Sequence, residues 1–152
     1  MSIVARLEES RLRPEQELAA LLEQARQDGA VVSFVGVARP TSKTGASVDH
    51  LVLDHHPTLT LQSLQEVAVS AAEHFDVTHV RVVHRCGKVP SGEPIVFAGA
   101  ASAHRRAAFD AADYLMDRLK TDAVFWKREI GEAGSEWIEP TDADYSDRDR
   151  WG

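Results

Sequence analysis

The start of one predicted helix carries an unusual set of basic residues. His104, Arg105 and Arg106 stand in the first turn of a helix predicted over Ser102–Thr121, with Ser102 as the N-cap. Each cation there conflicts with the positive end of the helix dipole by a few tenths to about 1 kcal/mol. A bound anion would remove that conflict, because free backbone N–H groups, imidazole and guanidinium would all face it. The alternative is a solvated basic turn with a small energetic cost.

Two lysines follow, one at the end of this helix and one in the next predicted strand. Lys120 lies where a cation suits the helix dipole, so an ordinary surface lysine explains it equally well. Lys127 lies within VFWKRE, and strand alternation directs the neighbouring Arg128 to the opposite side. A lysine among aromatic side chains is partly desolvated, which lowers its pKa and favours the neutral amine of nucleophilic or proton-transfer chemistry. The alternative is a lysine that packs its stem beside an exposed Trp and extends its amine into water.

The histidines and the single cysteine show no metal or nucleophile motif. His55 and His56 are adjacent on a predicted strand, so they point to opposite faces and do not share one ion. Surface positions on strands and helices are expected for His50, His74, His79 and His84. Cys86 is expected to be a small buried residue at a strand end. We therefore expect no metal and no cofactor.

The elements that position these residues follow from hydrophobic periodicity. Besides the helix over Ser102–Thr121, amphipathic helices are predicted over Pro14–Gln27 and Thr60–Phe75. Strands are predicted over Ala30–Val37, Val48–His55, Thr78–Arg85, Pro94–Ala101, Val124–Ile130 and Glu136–Ile138. The first strand is apolar enough to be buried, and GKVPSGE is expected to close a hairpin between the third and fourth. About three helices with mostly antiparallel strands predict one α+β domain over residues 1–140, followed by an acidic, flexible tail at 141–152.

Composition and charge narrow the classes of function. The chain has 152 residues, 43% of them hydrophobic, which is enough for one packed core. Its net charge of −7 argues against a nucleic-acid partner, because such proteins usually present a basic face. No apolar run reaches the roughly 18 residues of a membrane helix, and the N-terminus has no apolar signal-peptide core. We expect a cytoplasmic protein that does not bind membranes.

Together the segments closely resemble the catalytic (large) subunit of molybdopterin synthase. The similarity covers about four-fifths of the chain, in the same order and with close spacing. The matching stretches are FVGVAR (34–39), LDHHP (53–57), HRCGKVPSGEPIVF (84–97), SAHR (102–105), MDRLKTDAVFWKRE (116–129) and WIE (137–139). SAHR followed by LKT and FWKRE is the most specific part. Pro40 and His56 depart from the family's usual residues, and the tail after Pro140 is not shared.

The resemblance implies an α/β hammerhead-type fold and a sulfurtransferase reaction in molybdenum cofactor biosynthesis. The family's substrate is cyclic pyranopterin monophosphate, which becomes molybdopterin by gaining two sulfurs as a dithiolene. Each sulfur arrives as a thiocarboxylate on the C-terminal Gly-Gly tail of a small ubiquitin-like carrier subunit. Two catalytic subunits form a homodimer, with one carrier at each end of the resulting heterotetramer.

The resemblance also implies roles for individual residues. Lys120 and Lys127 correspond to the family's catalytic lysines. Phe34 and Met116 correspond to residues that line the pocket. Substrate-binding positions are Val37, Ala38, Arg39, His104, Arg105, Arg128 and Glu129.

Helix geometry adds a condition to this set. Arg105 and Lys120 lie about 22 Å apart if the helix is straight, at 1.5 Å per residue. A pterin phosphate is too small to touch both. We therefore predict a composite site, in which Arg39, Lys120 and Lys127 of one subunit meet His104 and Arg105 of its dimer mate. The alternative is a break in the helix between Asp110 and Asp113, where no Pro or Gly is present to cause one.

Two other classes of function compete with this reading. A non-catalytic module that docks a ubiquitin-like tail or an anionic nucleotide would keep the basic cluster but would not need both lysines. A different acyl-group transferase would use the same lysines on another acidic substrate. Substitution of Lys120 by Ala discriminates between the first class and an enzyme, because a module keeps its partner whereas an enzyme loses turnover.

Overall fold

A computed structural model describes residues 1–152 as four helices and eight strands, with the strands in two four-stranded sheets. The elements are β1 (Ser2–Glu8), α1 (Pro14–Gln24), β2 (Ala30–Val37), β3 (Val48–His55), α2 (Leu59–His74), β4 (His79–Arg85), β5 (Gly87–Pro90), β6 (Pro94–Ser102), α3 (Arg105–Asp122), β7 (Phe125–Gly131), β8 (Gly134–Ile138) and α4 (Asp142–Asp149). The predicted α+β class with mostly antiparallel strands is confirmed. None of the helices is both long and apolar enough to cross a membrane.

The first sheet has the strand order β1-β4-β6-β2 and carries most of the core. Helices α2 and α3 pack together against one face, where Leu64 and Leu115 are fully buried. Helix α1 covers the other face, where its Leu21 joins Phe97 of β6 in a second buried cluster. The sequence did not predict β1, because Arg6 and the other charged residues of this segment obscure its alternation. The strand forms by parallel pairing with β4, the only parallel pair in the fold.

The second sheet is antiparallel throughout, in the order β5-β3-β7-β8. Strand β5 occupies the segment that the sequence predicted as a simple hairpin connection. β4 and β6 do pair in antiparallel fashion, but the chain leaves the first sheet between them and pairs Gly87–Pro90 with β3. Gly87 permits the change of direction, because its φ of 83° is a conformation that other residues rarely adopt. This crossing brings the ends of both sheets together.

Strand β2 is an edge strand, and the prediction that it is buried was wrong. Phe34, Val35 and Val37 are 44%, 37% and 50% exposed. An apolar run predicts a buried strand only when layers cover both faces, and β2 has a hydrogen-bonded neighbour on one side only, in β6. The outer edge of β2 therefore leaves apolar side chains in contact with solvent.

Helix α3 is continuous from Arg105 to Asp122, so the alternative of a break near its middle is wrong. The predicted N-cap is also corrected. Ser102 ends β6, and its hydroxyl donates to the Asp76 carbonyl (2.8 Å) and accepts from the His104 N–H (3.2 Å). His104 occupies the N-cap position with an extended backbone and makes no side-chain cap hydrogen bond. The basic first turn of α3 is therefore exposed and has no side-chain cap.

The segment after Pro140 forms a fourth helix, where the sequence predicted about three in all. Thr141 and Asp144 make a reciprocal capping box that begins α4. The indole N–H of Trp151 then donates to Asp117 of α3 at 2.6 Å. Periodicity missed α4 because none of its residues is buried: the cap is a local polar contact, and the anchor joins residues 34 positions apart. The division at residue 140 and the flexibility of the tail remain predictions.

Candidate active site

A cavity of about 310 Å³ opens where the end of the first sheet meets α3 and the second sheet. Its walls come from the end of β2, the ends of β4 and β6 that adjoin it, the last turns of α3, and β7. The lining residues are Phe34, Val35, Gly36, Val37, Arg39, His84, Ile95, Val96, Met116, Leu119, Lys120 and Lys127. Eight of the twelve carry no charge or polar group able to bond strongly, so the four titratable side chains define its chemistry.

The first wall depends on the close approach of β2 to β6. A Cβ at Gly36 would lie 2.8 Å from Cγ1 of Val96, so only glycine fits without displacement. The register shifts between Gly36 and Val37, a bulge of the kind that redirects a strand beside a functional site. Ala38 is then held by backbone hydrogen bonds to Glu93 and Gly92 at 2.9 and 2.8 Å. This anchored segment delivers Arg39 to the rim of the cavity, where its side chain is exposed.

The second wall is the C-terminal end of α3. Met116, Leu119 and Lys120 share one helical face, because residues three and four apart lie above one another. Leu119 is nearly fully buried, whereas Lys120 is exposed at the mouth. The fully buried Leu115 fixes the helix in the core from the neighbouring face. Lys120 therefore extends an exposed side chain from a helix that is packed into the core.

The third wall is β7, which carries Lys127. This residue pairs with Leu53 of β3 and with Ile138 of β8, so its backbone is held on both sides. Burial lowers the pKa of Lys127 to about 8, with a further decrease from the charge of Lys120 and an opposing effect of Asp144. The predicted desolvation of this lysine is confirmed. At neutral pH a minor but useful fraction of its amine is uncharged.

His84 also lines the cavity, and the prediction that it lies on the surface was wrong. The residue is 5% exposed, and its ring stacks on Phe125 with centroids 4.3 Å apart. Burial lowers the pKa of His84 to about 3, a hydrogen bond to the Arg85 carbonyl opposes this, and the charges of Lys127 and Lys120 lower it further. One signal was present in the sequence: the two preceding valines, Val82 and Val83, break the alternation and indicate a strand end buried on both faces.

The site residues predicted from the resemblance divide into two groups. Phe34, Val37, Arg39, Met116, Lys120 and Lys127 line the cavity. Ala38 is buried between Val37 and Arg39 without lining it. His104, Arg105, Arg128 and Glu129 do not line it.

The residues outside the cavity lie in two directions. His104 and Arg105 are exposed at the opposite end of α3. Arg128 points to the other side of β7, as strand alternation predicted, with its guanidinium 5.3 Å from the Trp137 ring and 3.7 Å from Asp54. Glu129 lines a separate shallow depression. One chain therefore assembles the lysines and Arg39 but not the basic start of α3.

One group of side chains has the composition of a metal site. The ligand atoms of Glu9, His55 and Cys86 lie within 4.8 Å of one another, outside the cavity. Cys86 is buried directly after β4, as predicted, and burial together with Glu9 and Glu8 raises the pKa of its thiol. None of the three was predicted as a ligand, and the chemistry of the cavity does not require them.

Comparison with known proteins identifies the family. The family model described as MoaE protein matches residues 7–122. This range includes the strands of the first sheet that line the cavity, β2, β4 and β6, and helix α3. The chain belongs to the MoaE protein family. Among curated members, the molybdopterin synthase catalytic subunit of Pseudomonas aeruginosa is 42% identical over 146 residues, covering 96% of this chain and 97% of that protein. The subunit of the same name from Vibrio cholerae is 46% identical over 136 residues, covering 90% and 89%.

Solved structures of family members share the fold. The molybdopterin cofactor biosynthesis protein E of Burkholderia multivorans superposes with a TM-score of 0.80 at 33% identity, covering 100% of this chain and 97% of that one. A molybdopterin synthase from Staphylococcus aureus gives a TM-score of 0.78 at 27% identity, covering 88% and 96%. The overall fold is thus shared with solved structures of the family.

Proposed function

We propose that this chain is the catalytic subunit of a molybdopterin synthase, a sulfurtransferase that makes the dithiolene of molybdopterin. Sulfur would pass from the C-terminal thiocarboxylate of a small ubiquitin-like carrier to cyclic pyranopterin monophosphate. One observation carries the proposal: Lys120 and Lys127 come from different elements and line a single cavity together with Arg39. The chain belongs to a family whose curated members bear that enzyme's name.

The cavity suits anionic reactants in an otherwise acidic protein. Three of its four titratable side chains, Arg39, Lys120 and Lys127, are cations, against a net charge of −7 for the chain. A thiocarboxylate and a phosphate are both anions, and cations in a partly enclosed site bind them more strongly than in bulk water. Apolar Phe34 and Met116 leave room for an extended Gly-Gly tail without competing for its charge.

The two lysines differ in a way that suits acyl chemistry. Lys120 is exposed at the mouth, so its ammonium can meet a negative sulfur or phosphate. Lys127 has a pKa of about 8, so its amine can lose and regain a proton near neutral pH. In each transfer, a C–S bond forms at a side-chain carbon of the pterin as a C–O bond at that carbon breaks, and the carrier's acyl–sulfur bond is then hydrolysed. Water supplies the oxygen that restores the carrier's carboxylate.

The assembly proposed for the enzyme is a homodimer with a carrier at each end. Two features support the homodimer. β2 is a free sheet edge with exposed Phe34, Val35 and Val37, the kind of apolar surface that a partner usually covers. His104 and Arg105 are exposed about 22 Å along α3 from Lys120, too far to share a small ligand within one chain. A two-fold partner would let them complete the other subunit's site. We place the reaction in the cytoplasm.

The decisive experiment is conversion of cyclic pyranopterin monophosphate by this protein with a thiocarboxylated carrier, with detection of the dithiolene product. Wild-type protein is expected to form product, and Lys120→Ala is expected to lower turnover by roughly 10²–10³-fold, as the loss of a charge-stabilising group does. Lys43→Ala, in an exposed loop outside the cavity, is the matched control and should keep full activity. A wild-type protein that binds the carrier but yields no product would instead indicate a docking module.

A further inference from the structure

One polar group in the cavity remains without a role once the cations are explained. Among the twelve lining residues, His84 is the most deeply buried titratable residue, 5% exposed, whereas Lys127 is only partly buried. Arg39, Lys120 and Lys127 offer hydrogen-bond donors in their protonated forms. The other eight residues are apolar or, in the case of Gly36, have no side chain. His84 is therefore the single strong side-chain acceptor available to a ligand in this cavity.

The orientation of the His84 ring follows from its contacts. Nδ1 lies 2.8 Å from the carbonyl oxygen of Arg85, which can only accept, so Nδ1 carries the hydrogen and donates it. The lone pair is consequently on Nε2, at the opposite edge of the ring. Stacking on Phe125 at an interplanar angle of 28° holds the ring plane in place. Nδ1 is thus satisfied within the protein, whereas no hydrogen bond of the protein engages Nε2.

We propose that His84 is a specificity-determining residue whose Nε2 accepts a hydrogen bond from an N–H or O–H group of the substrate. The inference rests on the proposed function, since it assumes a ligand that combines anionic groups with ring donors. Such a heterocycle places its phosphate against the cations, and its donors then need an acceptor on the inner wall. A ligand without a donor at that position forgoes the hydrogen bond to Nε2, which costs affinity.

A role as a general base is excluded by the relative acidity of the neighbours. Burial lowers the pKa of His84 to about 3, while that of Lys127 is about 8. Proton transfer from Lys127 to His84 is therefore strongly unfavourable. The ring is expected to be neutral near pH 7. It contributes a fixed acceptor and not a proton.

Two variants of His84 distinguish the hydrogen-bond acceptor from the shape of the ring. His84→Phe keeps a ring that can stack on Phe125 but removes the lone pair, whereas His84→Gln supplies a carbonyl oxygen as a new acceptor. We expect His84→Phe to raise KM for cyclic pyranopterin monophosphate at least about 10-fold with a smaller change in kcat, and His84→Gln to recover most of the loss. His79→Phe, on the same strand but outside the cavity, is the matched control and should leave KM unchanged.

Histidine ¹⁵N NMR tests the assignment without turnover. The wild-type spectrum should show His84 neutral, with its hydrogen on Nδ1, down to about pH 4. In wild-type protein without the carrier, which has no sulfur to transfer, saturating cyclic pyranopterin monophosphate should shift the Nε2 resonance. A hydrogen on Nε2, or an unmoved resonance in the saturated protein, would overturn the proposal.

The kinetic results distinguish failure of the role of His84 from failure of the proposed function. Wild-type turnover with an unchanged KM in folded His84→Phe protein overturns the role of His84 and leaves the proposed function standing. Absence of turnover and of substrate binding by wild-type protein overturns the proposed function and this assignment with it. A raised KM that His84→Gln does not improve would indicate a purely steric role and also contradicts the proposal.

Discussion

Helix α3 carries basic residues at both ends, and their surroundings are opposite. Its last turn places Lys120 in a cavity with Lys127 and Arg39, where the negative end of the helix dipole favours a cation. Its first turn exposes His104 and Arg105 at the positive end, without a side-chain cap and away from the cavity. The cation at one end is compatible with folding, whereas those at the other end lower stability.

This difference between the two ends shows that the basic first turn of α3 needs an explanation outside the single chain. Lys120 is explained by the helix it ends and by the cavity it lines. His104 and Arg105 have no counter-charge among the ion pairs of the chain. A bound anion shared with a second subunit would remove their electrostatic cost. The two ends of α3 would then serve two different active sites of one dimer.

The largest effect is expected from combining variants at opposite ends. Lys120→Ala and Arg105→Ala should each lower activity at least about 100-fold as homodimers. Co-expression of the two chains should restore about a quarter of wild-type activity, because half of randomly formed dimers are hybrids and each hybrid has one intact site. The measurement is turnover of the co-expressed protein, with each chain carrying a different tag to isolate the hybrid.

The matched control places both substitutions at the same end. A hybrid of Lys120→Ala with Lys127→Ala has no intact site and should stay inactive. If the purified hybrid of Lys120→Ala with Arg105→Ala is equally inactive, the composite site is wrong. Full activity of the Arg105→Ala homodimer would mean that the first turn of α3 is only a solvated basic surface.

The second effect distinguishes the two lysines at the C-terminal end. Because the folded pKa of Lys127, about 8, is below the ordinary 10.5, its charge destabilises the fold below pH 8, and stability rises from pH 8 to 10.5. Lys127→Met should abolish turnover yet raise the free energy of unfolding at pH 7 by about 2 kcal/mol. Urea unfolding at pH 7 and 9.5 measures this, and the gain should shrink at the higher pH.

Exposed Lys120 provides the comparison within the same cavity. Lys120→Met should change the free energy of unfolding by less than about 0.5 kcal/mol, as surface substitutions usually do. Equal effects of the two substitutions would show that Lys127 is not desolvated. Lys127 could then no longer be assigned the proton-transfer role that depends on its lowered pKa.

The sequence predicted the parts of this site that depend on local patterns. The helical period placed Met116 and Lys120 on one face, and aromatic neighbours predicted the desolvation of Lys127. Residue-type resemblance identified Phe34 and Arg39 as neighbours of those lysines, which no periodicity could show. Together with Val37, which the resemblance also named, they make six predicted site residues that line the cavity.

What the sequence did not reveal depends on contacts between distant segments. β1 is recognisable only through its pairing with β4, and β5 only through its transfer to the second sheet. His84 looked like an ordinary strand histidine because Phe125, on which it stacks, lies 41 positions later in the chain. The exposure of β2 and the anchoring of α4 likewise depend on which other elements pack beside them. Hydrophobic periodicity within a segment does not contain that information.

A third effect contrasts the pH dependence of stability due to buried His84, in the cavity wall, with that due to exposed His104, at the start of α3. The folded pKa of His84, about 3, is below its ordinary 6.5, so the neutral ring stabilises the fold above pH 6.5 and that contribution falls as the pH drops. Between pH 7 and 5 this should cost about 2 kcal/mol, a loss that His84→Phe should not show. Urea unfolding at both pH values is the measurement. His104→Phe, at the exposed end, should retain the wild-type dependence, and an identical pH dependence in His84→Phe would contradict the buried neutral state.

The smallest effect concerns the middle of α3, between the two functional ends. Trp151 donates to Asp117 and packs edge-on against Phe75 and Tyr114, with ring centroids 5.6 and 5.7 Å away. Trp151→Ala should lower the free energy of unfolding by about 1 kcal/mol, because it removes an aromatic contact and a hydrogen bond at a partly exposed site. Turnover should be unchanged, since the indole lines no part of the cavity. A folded Trp151→Ala protein with low activity would show instead that the C-terminal segment positions α3 for catalysis, and the middle of the helix would then belong with its functional ends.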